Sequence, residues 1–338
     1  MVHYALPVSL WSKTCRVAKK VLLGFTGVSL FSVFVLPYLL PLNGPPMVDP
    51  TTLADPDGAF VQAGDTRMYY QKSGNGAQKT GARDVPIVLV HGFGASSVSW
   101  RDNLNPIAEA GYTVYAPDLR GFGLSDKGWD KSMSQDAQAD RLKAFLDAQG
   151  IDRAVLAGNS MGGGIVTNFA LRYSDRVRGL VLVDPAIYGG APGGVASALT
   201  RLPGIQRWVQ HAVRFMLAND KRNASTIKGA WFDPAKVTPD MLSGYRRALK
   251  TPNWDTSLLA LMRDGMSNNL GTRLKVLNVP TLIVWGKHDT WISPTNAPKL
   301  NQDIAGSKLV MIENAGMPPS TRASVSARTR VAIRCSAS

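Results

Sequence analysis

The stretch RAVLAGNSMGGGIVTNFAL, residues 153–171, leaves the chain little conformational freedom. An apolar strand candidate, Ala154–Ala157, runs directly into Gly158-Asn159-Ser160-Met161-Gly162, and an apolar helical stretch opens at once. Gly-x-Ser-x-Gly in that setting is a strained strand-to-helix turn. Its glycines let the two backbones approach closely, and the strain pushes the Ser160 hydroxyl outward at the C-terminal edge of a sheet. The N-terminus of the following helix lies beneath that hydroxyl and favours negative charge. Ser160 is therefore the candidate nucleophile.

The surrounding pattern supplies the sheet. From about Asp65, short apolar runs alternate with helical stretches, which is the signature of a mainly parallel, doubly wound α/β sheet. The strand candidates are Thr66–Gln71, Ile87–Val90, Thr113–Ala116, Ala154–Ala157, Gly179–Val183, Thr281–Trp285 and Leu309–Ile312. Between them, SWRDNLNPIAEAG and SQDAQADRLKAFLDAQG carry amphipathic periodicity and end in Gly. From about residue 187 to 270 the rhythm stops, and helical segments follow one another without a convincing strand. An all-helical insertion between two strands predicts a cap over the open end of the sheet, able to exclude water and shape a pocket.

A second glycine-rich strand end is PIVLVHGFGASSVSW, residues 86–100. Its backbone, at Phe93, can join the N–H of Met161 to hold a developing oxyanion. His91 comes from the wrong strand end to act as a base and reads as a structural loop residue.

Ahead of the sheet, Val21–Leu40 (VLLGFTGVSLFSVFVLPYLL) carries no charge, and as one helix it would span about 30 Å, the thickness of a hydrocarbon core. Residues 1–20 hold Lys13, Arg16, Lys19 and Lys20 and no acid, whereas residues 41–66 hold Asp49, Asp55, Asp57 and Asp65 and no base. The asymmetry predicts a cytoplasmic tail at 1–20 and a transmembrane anchor at 21–42. An extended Pro-rich linker at 43–64 would lead to an extracytoplasmic domain at 65–316. No Ala-x-Ala site follows the apolar run, so an uncleaved anchor is expected rather than a signal peptide. The formal charge is +14. The sequence has no zinc-type Cys/His spacing, no Walker loop and no dense basic run with interleaved aromatics, so neither a metal nor nucleic acid is expected as a partner. Cys15 and Cys335 stand at opposite ends and imply no disulfide framework.

HGFG, APDLRGFGLSD, GNSMGG and VWGKHDTWIS, in that order, resemble the α/β-hydrolase fold family in its capped, esterase-like branch. The resemblance covers about Asp65 to Gly316. It implies acyl-enzyme chemistry without a cofactor: Ser160 attacks, Phe93 and Met161 N–H groups bind the oxyanion, and Asp289 matches the acid position. Asp184, at another strand end, ranks second as the acid. Asp118 and Arg120 shape a loop and carry no chemistry. Relatives that cleave epoxides or carbon–halogen bonds place aspartate at the nucleophile, so serine points away from those reactions.

The family order then requires a histidine after the last strand, as Gly-His following Ala. This chain reads Ala315-Gly316-Met317. His3, His91, His211 and His288 are its only histidines, and none is a credible replacement. The tail 317–338 has Arg322, Arg328, Arg330 and Arg334, no acid and no aromatic, where the fold expects an amphipathic helix. A His codon CAT followed by G contains ATG one base in. Loss of one base would therefore turn Gly-His into Gly-Met and put every later codon out of frame, and that is the expected origin of the tail.

Three functions follow as expectations. The first is a membrane-anchored serine hydrolase acting on carboxylic esters of a small-molecule or lipid-like acyl substrate, impaired by the missing base. The second is an inactive pseudo-hydrolase or truncated product used at most as a binding module. The third is an acyltransferase or cofactor-free haloperoxidase-like activity on the same scaffold. Basic residues (Arg201, Arg207, Arg214, Lys221, Arg222, Arg246, Arg247) and aromatics (Trp208, Phe215, Trp231, Trp254) in the insertion fit a lipid-like substrate near an anionic bilayer. They equally fit a solvated basic face over an aromatic helical core.

Overall fold

The strands of the computed structural model are β1 (Gly58–Ala63), β2 (Thr66–Ser73), β3 (Ile87–Val90), β4 (Val114–Pro117), β5 (Ala154–Asn159), β6 (Val177–Val183), β7 (Thr281–Gly286) and β8 (Lys308–Ile312). The structure describes residues 8–74, 85–188, 199–265 and 270–316, with side chains from Ala18 onward. Met317, the tail after it and His3 lie outside the described residues. The strands form one sheet in the order β1-β2-β4-β3-β5-β6-β7-β8, with β1 and β2 antiparallel to their neighbours and the rest parallel.

Alternation along each strand builds two cores, one per face. Ile87 and Leu89 of β3 pack with Trp100, Leu104 and Ile107, whereas Val88 and Val90 pack with Phe145, Ile165 and Phe169. The first face is covered by α3 (Arg101–Glu109), the second by α4 (Gln135–Ala148) and α5 (Met161–Arg172). β3 is the first parallel strand, and the chain then winds to β4 on one side and β5 on the other. The strand order therefore reverses between β3 and β5, where the crevice beyond the C-terminal ends receives ligands in open α/β sheets.

The expected linker at 43–64 is instead ordered against the domain. Its last third is β1, paired with β2 from Gly58↔Gln71 to Ala63↔Thr66 around a turn at Gly64, whose φ is +58°. Earlier in the segment, Asp55 accepts from Tyr69 Oη at 2.9 Å and pairs with both terminal nitrogens of Arg247. The sequence signal was the Gly64-Asp65 pair between two half-apolar runs, a two-residue hairpin turn that the proline-rich composition upstream obscured.

Four helices form the cap: α6 (Pro203–Leu217), α7 (Asp220–Gly229), α8 (Pro239–Arg247) and α9 (Trp254–Asp264). No strand interrupts them among the described residues. The last helix among the described residues is α10 (Asn296–Asp303).

At the N-terminus the expected single span from Val21 to Leu40 is not one helix. α1 (Val8–Phe34) stops where Pro37, which has no N–H to give the preceding turn, opens a short second helix, α2 (Leu36–Leu39). The uncharged part of α1 then runs only from Val21 to Phe34, about 21 Å at 1.5 Å per residue. Among the described residues no helix is long and apolar enough to cross a membrane. Both helices pack on α6. Trp208 Nε1 donates to Ser32 O at 3.0 Å, Tyr38 Oη donates to Pro203 O at 2.8 Å, and His211 Nε2 lies 2.8 Å from Pro37 O. Carbonyls left open at a helix end thus find partners on the cap.

Candidate active site

Ser160 sits between β5 and α5 with φ +53° and ψ −119°, a strained conformation for a residue with a side chain. The glycines around it are required by distance. A Cβ on Gly158 would lie 2.4 Å from Gly162 O, and one on Gly162 would lie 2.4 Å from Val90 O. Helix α5 can therefore start directly against the ends of β3 and β5. Ser160 is 9% exposed, lines a cavity of about 560 Å3 and makes no side-chain hydrogen bond among the described residues.

Phe93 and Met161 border the same cavity. Neither backbone N–H has a hydrogen-bond partner among the described residues. Two free donors beside a free hydroxyl can receive the negative oxygen of a tetrahedral adduct. The cap supplies the opposite walls through Leu217, Ile227, Trp231, Tyr245 and Trp254.

Asp289 is buried on the loop after β7. Its Oδ1 accepts the N–H groups of Trp291 at 2.7 Å and Ile292 at 2.9 Å, while Oδ2 is buried without a partner. Burial pushes its carboxyl above the usual range, against the pull of those two N–H groups. One oxygen is held and the other is open, which suits a carboxylate built to receive an imidazole N–H. Asp184, at the end of β6 with φ +42°, accepts the Gly286 N–H at 2.8 Å, and its Oδ2 is also unpartnered. Burial raises this carboxyl well above the ordinary range, the Gly286 N–H opposes, and the charge of Asp289 adds to the rise.

None of the described histidines is free to serve Ser160. His91 is fully buried, with Nδ1 2.8 Å from Gly92 O and Nε2 accepting the Leu119 N–H at 3.0 Å, so both ring nitrogens are committed. Burial lowers its pKa, with nearby Asp118 opposing, and keeps the ring neutral. His288 is exposed and stacks on Phe232 at 4.6 Å between ring centroids. His211 is engaged with the end of α2. The loop that should carry the base nevertheless arrives beside the acid loop, because Ala315 O accepts the His288 N–H at 2.9 Å.

Asp118 has the loop-shaping role expected of it: its carboxylate accepts the N–H groups of Ser97 at 2.6 Å and Leu124 at 2.7 Å. Arg120 pairs with Asp130. The cap's basic and aromatic residues divide. Trp231 and Trp254 line the cavity, Phe215 faces outward on α6 while Trp208 reaches α1, and Arg214, Arg246 and Arg247 are in ion pairs with Asp255, Asp220 and Asp55. Among the cavity residues that sequence reasoning missed are Lys127 and Trp291. Lys127 follows the Gly121-Phe122-Gly123 turn and carries no local signal that it faces inward.

A family model described as alpha/beta hydrolase fold matches residues 85–317, and the chain belongs to that family. It is 32% identical over 268 residues to a 2-hydroxy-6-oxononadienedioate/2-hydroxy-6-oxononatrienedioate hydrolase of Escherichia coli (strain K12), covering 75% of this chain and 86% of that protein. It is 28% identical over 274 residues to Lipase 3 of Moraxella sp. (strain TA144), covering 78% and 79%. Among solved structures, a membrane phospholipase A described as a bacterial virulence factor superposes with a TM-score of 0.66 at 23% identity, over 94% of this chain and 99% of that one. Members related at this level are hydrolases.

Proposed function

We propose that this chain is a serine hydrolase of carboxylic esters with a lipid-like acyl substrate, held at a membrane by its N-terminal helix. Ser160 Oγ attacks the carbonyl and loses its proton to solvent, and the Phe93 and Met161 N–H groups hold the oxyanion. The carbonyl–alkoxy bond breaks and the alcohol leaves as the ester to Ser160 forms. Water then hydrolyses that ester to free the acid and restore the hydroxyl. Asp289 is the acid left without a base to orient, its Oδ2 unpartnered among the described residues. The observation that carries this reading is the unpartnered Ser160 hydroxyl on a left-handed turn, facing a cavity beside two unpartnered N–H groups.

Membrane attachment is supported by the surface. Val21, Leu22, Leu23, Phe25 and Val28 on α1 are each at least 61% exposed, and Phe215 and Met216 on α6 are exposed as well. The membrane phospholipase A structure matches so much of this chain that the unmatched remainder is shorter than α1. Lys13, Arg16, Lys19 and Lys20, ahead of the apolar part of α1, suit attachment to an anionic membrane surface.

A fluorophosphonate probe on the purified full chain tests the chemistry. Labelling that disappears in Ser160→Ala is expected. Folded protein that never labels would favour the second reading, a pseudo-hydrolase, which is itself supported by the commitment of every described histidine elsewhere.

A further inference from the structure

Lys127 is the one charged side chain among the described residues lining the catalytic cavity. The rest of the wall is glycine, aliphatic and aromatic residues with a few neutral polar groups. Its ammonium donates to Gly123 O at 2.7 Å and to Ser125 O at 2.9 Å. An ammonium has three donors, so one is left over. Among the described residues no carboxylate lies within ion-pair distance of it. The loop that carries it is held from the cap side, where Ser257 Oγ on α9 accepts the Gly128 N–H at 2.8 Å. A cation lining an apolar cavity, fixed by two carbonyls and with no carboxylate in direct ion-pair contact, is costly unless something charged visits it.

We propose that Lys127 is an anion-recognition point for the substrate: the cavity takes a largely apolar acyl compound carrying one ionised oxygen group, carboxylate or phosphate, which pairs with the Lys127 ammonium. This rests on reading the cavity as an acyl site and adds the substrate class. Burial lowers the Lys127 pKa to about 7, with Asp118 and Asp126 on its own loop opposing, so the free site switches charge near neutrality. From α9, Ser257 meets this loop at Gly128 and does not titrate, while the charged Arg263 and Asp264 meet it further on, at Trp129, Lys131 and Met133, and pair with each other.

Binding tests the proposal without requiring turnover. Trp231, Trp254 and Trp291 line the cavity and report occupancy by fluorescence. Decanoate, decyl phosphate and decanol are titrated into the full chain at pH 6 and pH 9. At pH 6 at least one of the two anions should bind about tenfold or more tightly than decanol, as expected for a charge-assisted hydrogen bond. Whichever anion is preferred identifies the group as an acyl-borne carboxylate or a phosphate headgroup. The gap should shrink at pH 9 as the ammonium deprotonates and vanish at both values in Lys127→Met. Lys127→Arg should keep the gap and carry it to pH 9; it remains decisive if the Met variant does not fold. Equal binding of anion and alcohol at pH 6, or a gap that survives Lys127→Met, overturns the anion site while leaving the acyl cavity intact. Failure of decanol and both anions alike to bind overturns the acyl-site reading itself.

Discussion

Asp184 and Asp289 each keep one buried oxygen without a partner, and at Asp184 the consequence is measurable. Its folded pKa is raised by burial, so the unfolded chain releases this proton at lower pH than the native one does. The stabilising contribution is complete below the ordinary carboxylate range and is lost as pH rises through the folded value. Asp184→Asn keeps the acceptor for the Gly286 N–H, tolerates φ +42° and removes the titration. Urea denaturation at pH 5, 7 and 9 should show the variant gaining on the parent as pH rises; parallel curves would refute it. Residue 317 gives a second prediction, because Gly316 is already placed against the acid loop, near Phe232 N and His288 O. Met317→His should raise ester hydrolysis by about 10²–10⁴-fold, the usual worth of a positioned general base. An unchanged rate in folded protein would mean that something other than the imidazole is limiting. At this scale the turn from Gly158 through Ser160 to Gly162 was legible, since backbone geometry dictates glycine and serine at fixed spacing. Lys127 was not, because inward orientation of one loop side chain leaves no periodic trace.

The strands were located to within a few residues, as buried parallel strands are continuous apolar runs bounded by turns. β1 escaped notice because Gly58–Ala63 is half-buried with only its last residue covered, so its composition resembles the preceding linker. The cap was legible as helices but not as an electrostatic assembly. Arg214 on α6 reaches Asp255 at the start of α9, with Nε and Oδ2 2.6 Å apart and the carboxylate 2% exposed. Arg214→Met strands that charge and should destabilise the fold by about 3–5 kcal/mol. Chemical denaturation checks the figure, and a loss below about 1 kcal/mol would mean that the cap does not depend on this contact. β8 is the contrasting element. None of its five residues is buried, although four of them are apolar, so the sheet is least protected at this edge.

For the molecule as a whole, attachment to a bilayer is the property to measure. The full chain should co-float with vesicles containing anionic lipid and remain with them through an alkaline carbonate wash. Release by carbonate would reduce the attachment to a peripheral, electrostatic one. The contacts of Trp208, Tyr38 and His211 between α6 and the N-terminal helices carry a practical corollary. Trimming the first forty residues to obtain a tractable enzyme would not merely untether it. The roof over the nucleophile would lose the scaffold that braces it, and kinetics gathered on the shortened form would describe a different machine.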